Sequence, residues 1–271
     1  MPDSEANSPD PAFVLSGVCK RFGANEVLRN LNLEIPRGQQ VAVIGPSGAG
    51  KTTLFRLLSA FILPSEGRVH SLGLDTSRLR GRALRSLRRD IGLIYQNDNL
   101  VPNLRVVHNV LMGRLGHWPW LRALLSLFWP QQLEVAREAL RQVEIEDKLW
   151  SLPGELSGGQ QQRVAIARLI VQSPRAMLAD EPVSQLDLRL GREVITLLTK
   201  LASERKSTLL VNLHTLDLLE GHFDRVIALQ QGRIVWQGRP AALTRELLQQ
   251  VYGAEYRTLQ LDTLPLAGRT A

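Results

Sequence analysis

The amino-acid sequence predicts an α/β fold, with a mainly parallel sheet and flanking helices, an N-terminal antiparallel β part and an inserted helical lobe. The first observation is a glycine-rich loop that follows the apolar segment 40–44 and precedes the helical segment 53–58. The second is a change of pattern over residues 103–150, where helical periodicity replaces short β-branched runs. The third is the alternation of helices and strands after residue 157, which is typical of parallel pairing.

Length and composition indicate one globular domain with an insertion. The chain has 271 residues, of which 44% are hydrophobic and 22% are charged, so it can bury a sizeable core. We expect a disordered tail at 1–11, the main domain at 12–255 with the helical lobe at about 97–165, and a C-terminal tail at 256–271. The formal net charge of +7 favours an anionic partner without specifying which one.

The remaining elements follow from the pattern of apolar and turn residues. Short β-branched runs between residues 13 and 69, separated by turn residues, predict the antiparallel part. The predicted elements beyond it are a basic helix at 78–89, strands at 91–95, 175–179 and 208–213, and helices at 160–171, 190–204 and 241–252.

The strongest chemical signal is a phosphate-loop pattern placed between a strand and a helix. Its residues are Gly45, Pro46, Ser47, Gly48, Ala49, Gly50, Lys51 and Thr52. Glycines let successive backbone N–H groups surround a phosphate, and the helix N-terminus adds partial positive charge. We expect Lys51 to reach the β- and γ-phosphates, Thr52 to bind Mg²⁺ and Thr53 to contact the α-phosphate. A glycine-rich turn without a ligand is the alternative.

Two carboxylates follow a later apolar strand. Asp180 and Glu181 come directly after the apolar segment 176–179, at the carboxyl edge of the predicted sheet. We expect Asp180 to be a ligand of Mg²⁺ and Glu181 to polarise the attacking water. Acidic strand ends are common on protein surfaces, so this assignment depends on the phosphate loop.

A second helix start with anion-binding character lies at residues 156–160. It consists of Leu156, Ser157, Gly158, Gly159 and Gln160. Ser157 can cap the following helix, and the two glycines leave its first backbone N–H groups accessible. Because this segment has no lysine and follows the helical lobe, we expect it to contact the γ-phosphate bound by another copy of the chain.

This combination of motifs, together with Gln96 and His214 after two other strands, resembles the nucleotide-binding domains of ATP-binding-cassette (ABC) proteins over about residues 13–253. The resemblance implies a P-loop NTPase core, ATP and Mg²⁺ as cofactors, and a head-to-tail dimer in which the segment 156–160 contacts the partner's ATP. It also implies roles for single residues: Phe22 stacking on adenine, Gln96 linking the metal or water to the helical lobe, His214 holding the γ-phosphate, and Asp187 lying at the dimer interface. A core position is the alternative for Phe22, and Gln185 and Leu188 depart from the family pattern.

Several stretches, including 99–102, 109–116, 160–163 and 211–214, are similar to the ATPase subunits of phosphonate importers. This similarity implies a second ATPase subunit, an integral membrane permease, indirectly a periplasmic solute-binding protein, and a peripheral location at the cytoplasmic face of the inner membrane. The apolar stretch 118–129 is expected to help form the permease docking surface or to close the core of the lobe. Phosphite or phosphate importers and exporters are alternatives.

Two further classes are weaker alternatives. A DNA-repair ATPase should show long heptad arms or zinc-type cysteine pairs, and the sequence has neither, so no nucleic acid partner is expected. A small P-loop kinase would not need the segment 156–160.

Overall fold

The computed structural model describes residues 10–95, 100–118 and 131–258. Within these ranges the strands are β1 (Phe13–Phe22), β2 (Asn25–Ile35), β3 (Gln40–Ile44), β4 (Glu66–Ser71), β5 (Leu74–Asp75), β6 (Ile91–Ile94), β7 (Ala176–Asp180), β8 (Thr208–Asn212), β9 (Arg225–Gln230) and β10 (Arg233–Gly238). The α-helices are α1 (Lys51–Leu58), α2 (Gly81–Asp90), α3 (Val106–Leu111), α4 (Leu133–Gln142), α5 (Gly158–Gln172), α6 (Leu188–Arg205) and α7 (Arg245–Tyr252).

The strands form two sheets. The larger sheet has the order β10-β9-β3-β8-β7-β6, in which only the β10–β9 pair is antiparallel. The smaller sheet has the order β2-β1-β4-β5 and is antiparallel throughout. The predicted fold class is therefore confirmed. Because the parallel strands run in one direction, β3, β7 and β8 all end at the same edge of the sheet.

The parallel sheet is buried on both faces, as the unbroken apolar sequence of its central strands requires. In β3, Ala42 and Ile44 belong to the cluster that includes the helices between β6 and β7, whereas Val41 and Val43 belong to the cluster beneath the antiparallel sheet. The same strand therefore packs against both hydrophobic clusters, one on each face of the sheet. No helix in the described ranges is both long enough and apolar enough to cross a bilayer.

Several predicted element boundaries differ from the structure. The helix expected at 78–89 begins only at Gly81, because Asp75 caps a separate 3₁₀ turn at Thr76–Arg78. The single helix expected at 241–252 is wrong: a 3₁₀ turn at Pro240–Ala242 precedes α7, and the Thr244 side chain caps α7 by accepting the Leu247 N–H. A capping threonine favours a new helix start over continuation of the preceding turn.

Candidate active site

The loop between β3 and α1 is packed closely against strands on both sides. At Gly45, where φ is +145°, an added Cβ would lie 2.0 Å from the Leu229 carbonyl oxygen. At Gly50, where φ is +102°, it would lie 2.6 Å from a methyl group of Leu28. In addition, the Gly232 N–H donates a 3.1 Å hydrogen bond to the Ala49 carbonyl. Glycine is therefore required at 45 and 50 both by backbone conformation and by space.

Lys51 is almost completely buried in this loop. It is only 5% exposed, and its Nζ donates hydrogen bonds to the carbonyls of Gly45 at 2.7 Å and Pro46 at 3.0 Å. Burial lowers the pKa of the Lys51 ammonium, and the neighbouring carboxylates of Glu181 and Asp180 partly offset this effect. The loop thus concentrates one positive charge at the floor of a cavity.

That cavity has a volume of about 380 Å³ and brings together residues distant in the sequence. It is lined by Asn25, Val27, Ser47, Gly48, Ala49, Gly50, Lys51, Thr52, Thr53, Glu181 and His214. Most of these residues belong to the predicted phosphate loop, and two others come from the ends of β7 and β8. The predicted segment 156–160 does not line the cavity.

Asp180 ends β7 beside the first turn of α1. Its carboxylate is 8% exposed, and Oδ1 accepts hydrogen bonds from the Thr52 hydroxyl at 3.3 Å and the Asn212 amide at 2.6 Å. The three side chains come from the ends of α1, β7 and β8. Parallel pairing of β7 with β8 sets Asp180 directly opposite Asn212. The sheet edge therefore fixes one carboxylate near the helix that begins after the loop.

Glu181 projects from a strained backbone position. Its φ is +54°, in the left-handed region, and its N–H donates a 3.2 Å hydrogen bond to the Asn212 carbonyl. His214 Nε2 lies 2.8 Å from Glu181 Oε1. Since an ionised carboxylate only accepts hydrogen bonds, Nε2 carries the proton in this contact. Both residues of the pair line the cavity.

Ser157 begins α5 with a reciprocal capping box. Its hydroxyl accepts the Gln160 N–H at 3.3 Å, and the Gln160 side chain accepts the Ser157 N–H at 3.0 Å. Gly158 packs near Leu186, and Asp187 caps α6 by accepting the Leu190 N–H at 2.9 Å. The N-termini of α5 and α6 therefore lie near each other, and neither lines the cavity.

Phe22 lies at the end of β1, and 48% of its surface is exposed. Its backbone pairs with Asn25, which lines the cavity, and the Lys20 ammonium lies 4.9 Å from the centroid of its ring. The core alternative for Phe22 is therefore wrong. An exposed aromatic ring beside the phosphate loop fits the predicted platform for a base.

Two contacts to the loop were missed at the sequence level. The Tyr252 hydroxyl accepts the Gly45 N–H at 3.2 Å, and a carboxylate oxygen of Glu255 accepts the Ser47 N–H at 3.2 Å. Burial raises the pKa of Tyr252 to about 12, so its hydroxyl stays neutral at physiological pH. No local motif marks either residue, because both contacts depend on how the C-terminal segment packs. Gln96 and residues 119–129 of the predicted docking stretch lie outside the described residues.

The comparison with protein families identifies the class. The family described as ABC transporter matches residues 28–184. The chain belongs to this family, and its activity is ATP hydrolysis coupled to transport.

Individual relatives make the similarity more specific. It is 42% identical to the phosphonates import ATP-binding protein PhnC of Rhizobium etli over 243 residues, which cover 90% of this chain and 86% of that protein. It is also 42% identical to the PhnC protein of Pseudomonas putida over 259 residues, which cover 96% and 95% of the two chains.

Solved structures agree with the fold. A dimeric bacterial ABC transporter cassette, MJ0796, matches with a TM-score of 0.74 and 32% identity, over 85% of this chain and 100% of that chain. A bacterial Atm1-family ABC exporter with ATP bound matches with a TM-score of 0.73 and 29% identity, over 93% of this chain and 43% of that chain.

Proposed function

We propose that the chain uses MgATP to energise the uptake of phosphonates through a partner permease. The observation that carries this proposal is 42% identity to phosphonate import ATP-binding proteins over 90% or more of the chain, together with similar lengths. A match to an exporter cassette at 29% identity covers only 43% of that longer protein, so it supports the cassette fold rather than export.

The proposed site would hold Mg²⁺ through the Thr52 hydroxyl and the Asp180 carboxylate. Both are hard oxygen donors, and they lie 3.3 Å apart beside the phosphate loop. Magnesium sites of this type use one or two protein ligands and complete the shell with phosphate oxygens and water. The described residues contain no cluster of three or more His, Cys, Asp or Glu side chains suited to a metal, so the ion would depend on the nucleotide. When bound, Mg²⁺ would neutralise charge on the phosphates.

The protein groups then have distinct roles. The backbone N–H groups of the loop and Lys51 bind and orient the phosphates, while Phe22 supports the base. Glu181 stands next to Asp180 and lines the cavity, where it can accept a proton from the attacking water. His214, which donates to Glu181, orients this carboxylate before nucleotide binds.

A second chain completes the proposed site. The capped start of α5 offers N–H groups and the two glycines of the segment 156–160, yet it does not line its own chain's cavity. A head-to-tail dimer would bring Ser157, Gly158, Gly159 and Gln160 to the partner's γ-phosphate. Asp187, at the adjacent helix start, would then lie at the dimer interface.

A basic cleft offers a surface for the permease. It has a volume of about 950 Å³ and lies between α2 and the 3₁₀ helix Met112–His117. Five arginines line it, namely Arg82, Arg85, Arg88, Arg89 and Arg168. Gly116 and Met112 form part of its apolar wall. A short acidic and amphipathic segment of the permease would complement this lining, which includes Trp118, the first residue of the stretch 118–129.

The transport proposal predicts phosphonate uptake by a reconstituted complex. The chain, co-expressed with a phosphonate permease and its solute-binding protein, should assemble with the permease. Proteoliposomes loaded with MgATP should then accumulate radiolabelled methylphosphonate, because hydrolysis drives the permease between its states. Accumulation is measured by filtration with unlabelled methylphosphonate, phosphite, phosphate or sulfate as competitor.

The control is the same complex carrying Lys51→Ala, which should assemble but not accumulate solute. Stronger competition by phosphite or phosphate than by methylphosphonate would reassign the solute. Efflux from preloaded vesicles without uptake would contradict the importer.

A further inference from the structure

Asn212 is the last residue of β8, after three apolar residues, at the edge of the sheet where the active site lies. The preceding residues of β8, Leu209 to Val211, are apolar and completely buried, and Asn212 itself is 0% exposed. A buried amide without good partners costs free energy compared with an apolar residue of similar size. Its presence at the end of β8 therefore needs an explanation beyond packing.

The orientation of the Asn212 amide follows from its contact. Asp180 Oδ1 is only an acceptor, so the group 2.6 Å from it must be the Asn212 NH₂. Asn212 Oδ1 is buried and has no hydrogen-bond partner among the described residues. The Asn212 NH₂ therefore makes a short, charge-assisted hydrogen bond to Asp180, while the Asn212 amide oxygen makes none with the described residues.

The same residue also holds the second carboxylate, through its main chain. Its carbonyl accepts the N–H of Glu181, whose backbone is in the left-handed region. Two donors, the Thr52 hydroxyl and the Asn212 amide, converge on Asp180 Oδ1. No described residue donates to Asp180 Oδ2. Both hydrogen bonds to this carboxylate from the described residues therefore fall on the same oxygen and hold it in one orientation.

We propose that Asn212 is a positioning residue that orients the Asp180 carboxylate for Mg²⁺ before the nucleotide arrives. This inference rests on the proposed role of Asp180 in binding Mg²⁺. A side chain that hydrogen-bonds to a metal ligand restricts the rotation of that ligand. The ligand then loses less conformational entropy when the ion binds.

Asn212→Leu tests the proposal, because leucine keeps the size and removes the donor. The variant should need about 10- to 100-fold more Mg²⁺ for half-maximal binding of a fluorescent ATP analogue, the range for groups that support metal ligands. Its affinity for the same analogue in EDTA should equal that of the unmodified chain. Titrating Mg²⁺ at fixed analogue concentration gives the first value and titrating the analogue in EDTA gives the second, both without measuring hydrolysis.

Asn109→Leu is the matched control. Asn109 is also 0% exposed, but its amide bonds to the main chain at Val101 and Leu104, far from the loop in sequence. Both variants should melt at lower temperature, whereas only Asn212→Leu should shift the Mg²⁺ requirement. Asn212→Thr, a smaller change whose hydroxyl is too short to replace the amide, serves if the leucine variant does not fold.

The outcomes separate the two proposals. If binding by the unmodified chain does not depend on Mg²⁺, the proposed metal role of Asp180 fails. If it does depend on Mg²⁺ and both Asn212 variants behave like the unmodified chain, Asn212 is structural only.

A separate observation concerns Glu255, in the 3₁₀ helix Gly253–Thr258. Its carboxylate accepts the Ser47 N–H at 3.2 Å, so an anion from the chain itself contacts the phosphate loop. The contact is anchored, because the neighbouring Tyr252 is 4% exposed and accepts the Gly45 N–H. The negative charge of Glu255, together with those of Glu181 and Asp180, partly offsets the lowering of the Lys51 pKa by burial.

We infer that Glu255 competes with the nucleotide phosphates for the loop and weakens ATP binding. This inference rests on ATP binding at the loop and not on the transported solute. Glu255→Gln should bind a fluorescent ATP analogue about two- to fivefold more tightly, the range for an exposed carboxylate at a helix N-terminus. The difference should shrink at high salt because the contact is exposed.

Glu246→Gln is the control, since Glu246 is a fully exposed acid on α7 that does not touch the loop. Its affinity should be unchanged. Equal or weaker binding by a folded Glu255→Gln chain would show that this carboxylate does not compete with nucleotide.

Discussion

Glu181→Gln should reduce ATP hydrolysis by about 10²- to 10⁴-fold, the range for loss of a positioned general base. The amide retains the shape of the side chain, and its oxygen can still accept the hydrogen bond from His214 Nε2. ATP binding should persist, because the loop, Lys51 and the Asp180 contact with Thr52 are untouched. We therefore expect a chain that binds ATP, fails to turn it over, and accumulates as a closed dimer.

Phosphate release and size-exclusion chromatography with ATP measure the two effects. Glu34→Gln, an exposed carboxylate on β2, controls for loss of one negative charge and should keep full activity. Wild-type turnover by Glu181→Gln would show that another group activates the water. Loss of ATP binding as well would show that the substitution damages the loop instead.

The second large effect concerns a site shared between two chains. Lys51→Ala removes the buried cation of the loop and should lower hydrolysis by on the order of 10²-fold or more. Ser157→Arg removes the capping hydroxyl of α5 and fills the space beside the glycines. It should therefore inactivate the ATP site of the partner chain, which this segment is proposed to complete. Mixed together, the two inactive chains should recover activity, because one of the two sites in a heterodimer is then intact.

The mixture is compared with each variant alone at the same total concentration. The matched control is a homodimer of one chain that carries both substitutions. It should show no ATP hydrolysis, because both of its sites are damaged. A covalently linked heterodimer excludes poor mixing. If that linked form is also inactive while linked unmodified chains are active, either each chain completes its own site or two intact sites are required.

Most of the fold and the phosphate-loop part of the site could be predicted from local sequence patterns. The phosphate loop could be predicted because its glycines have a conformational requirement that few other patterns share. The placement of Asp180 could be predicted because a short apolar strand ends in a carboxylate at a sheet edge. Phe22 could be placed only through the family resemblance, since a lone aromatic residue does not indicate whether its ring is exposed.

Other features depend on packing between distant segments. Tyr252 and Glu255 reach the loop over about two hundred residues of sequence, and neither belongs to a pattern. Asn212 can be recognised in the sequence as an amide that follows three apolar strand residues. That it pairs with Asp180 becomes known only from the register of β7 and β8. The break before α7 was missed because the apolar residues keep a helical spacing across Thr244. The Thr244 side chain caps the helix, and this cap determines where α7 begins.

The loop's close contacts with Leu28, Leu229 and Gly232 have a kinetic consequence. They come from both sheets and arise when the domain folds, so the cost of ordering the loop is met before any nucleotide arrives. We therefore expect ATP to meet a loop backbone that is already ordered, so that only side-chain contacts such as that of Glu255 have to give way. Ligands that share the phosphate chain would arrive at similar rates, and the cassette would distinguish them by how fast they leave.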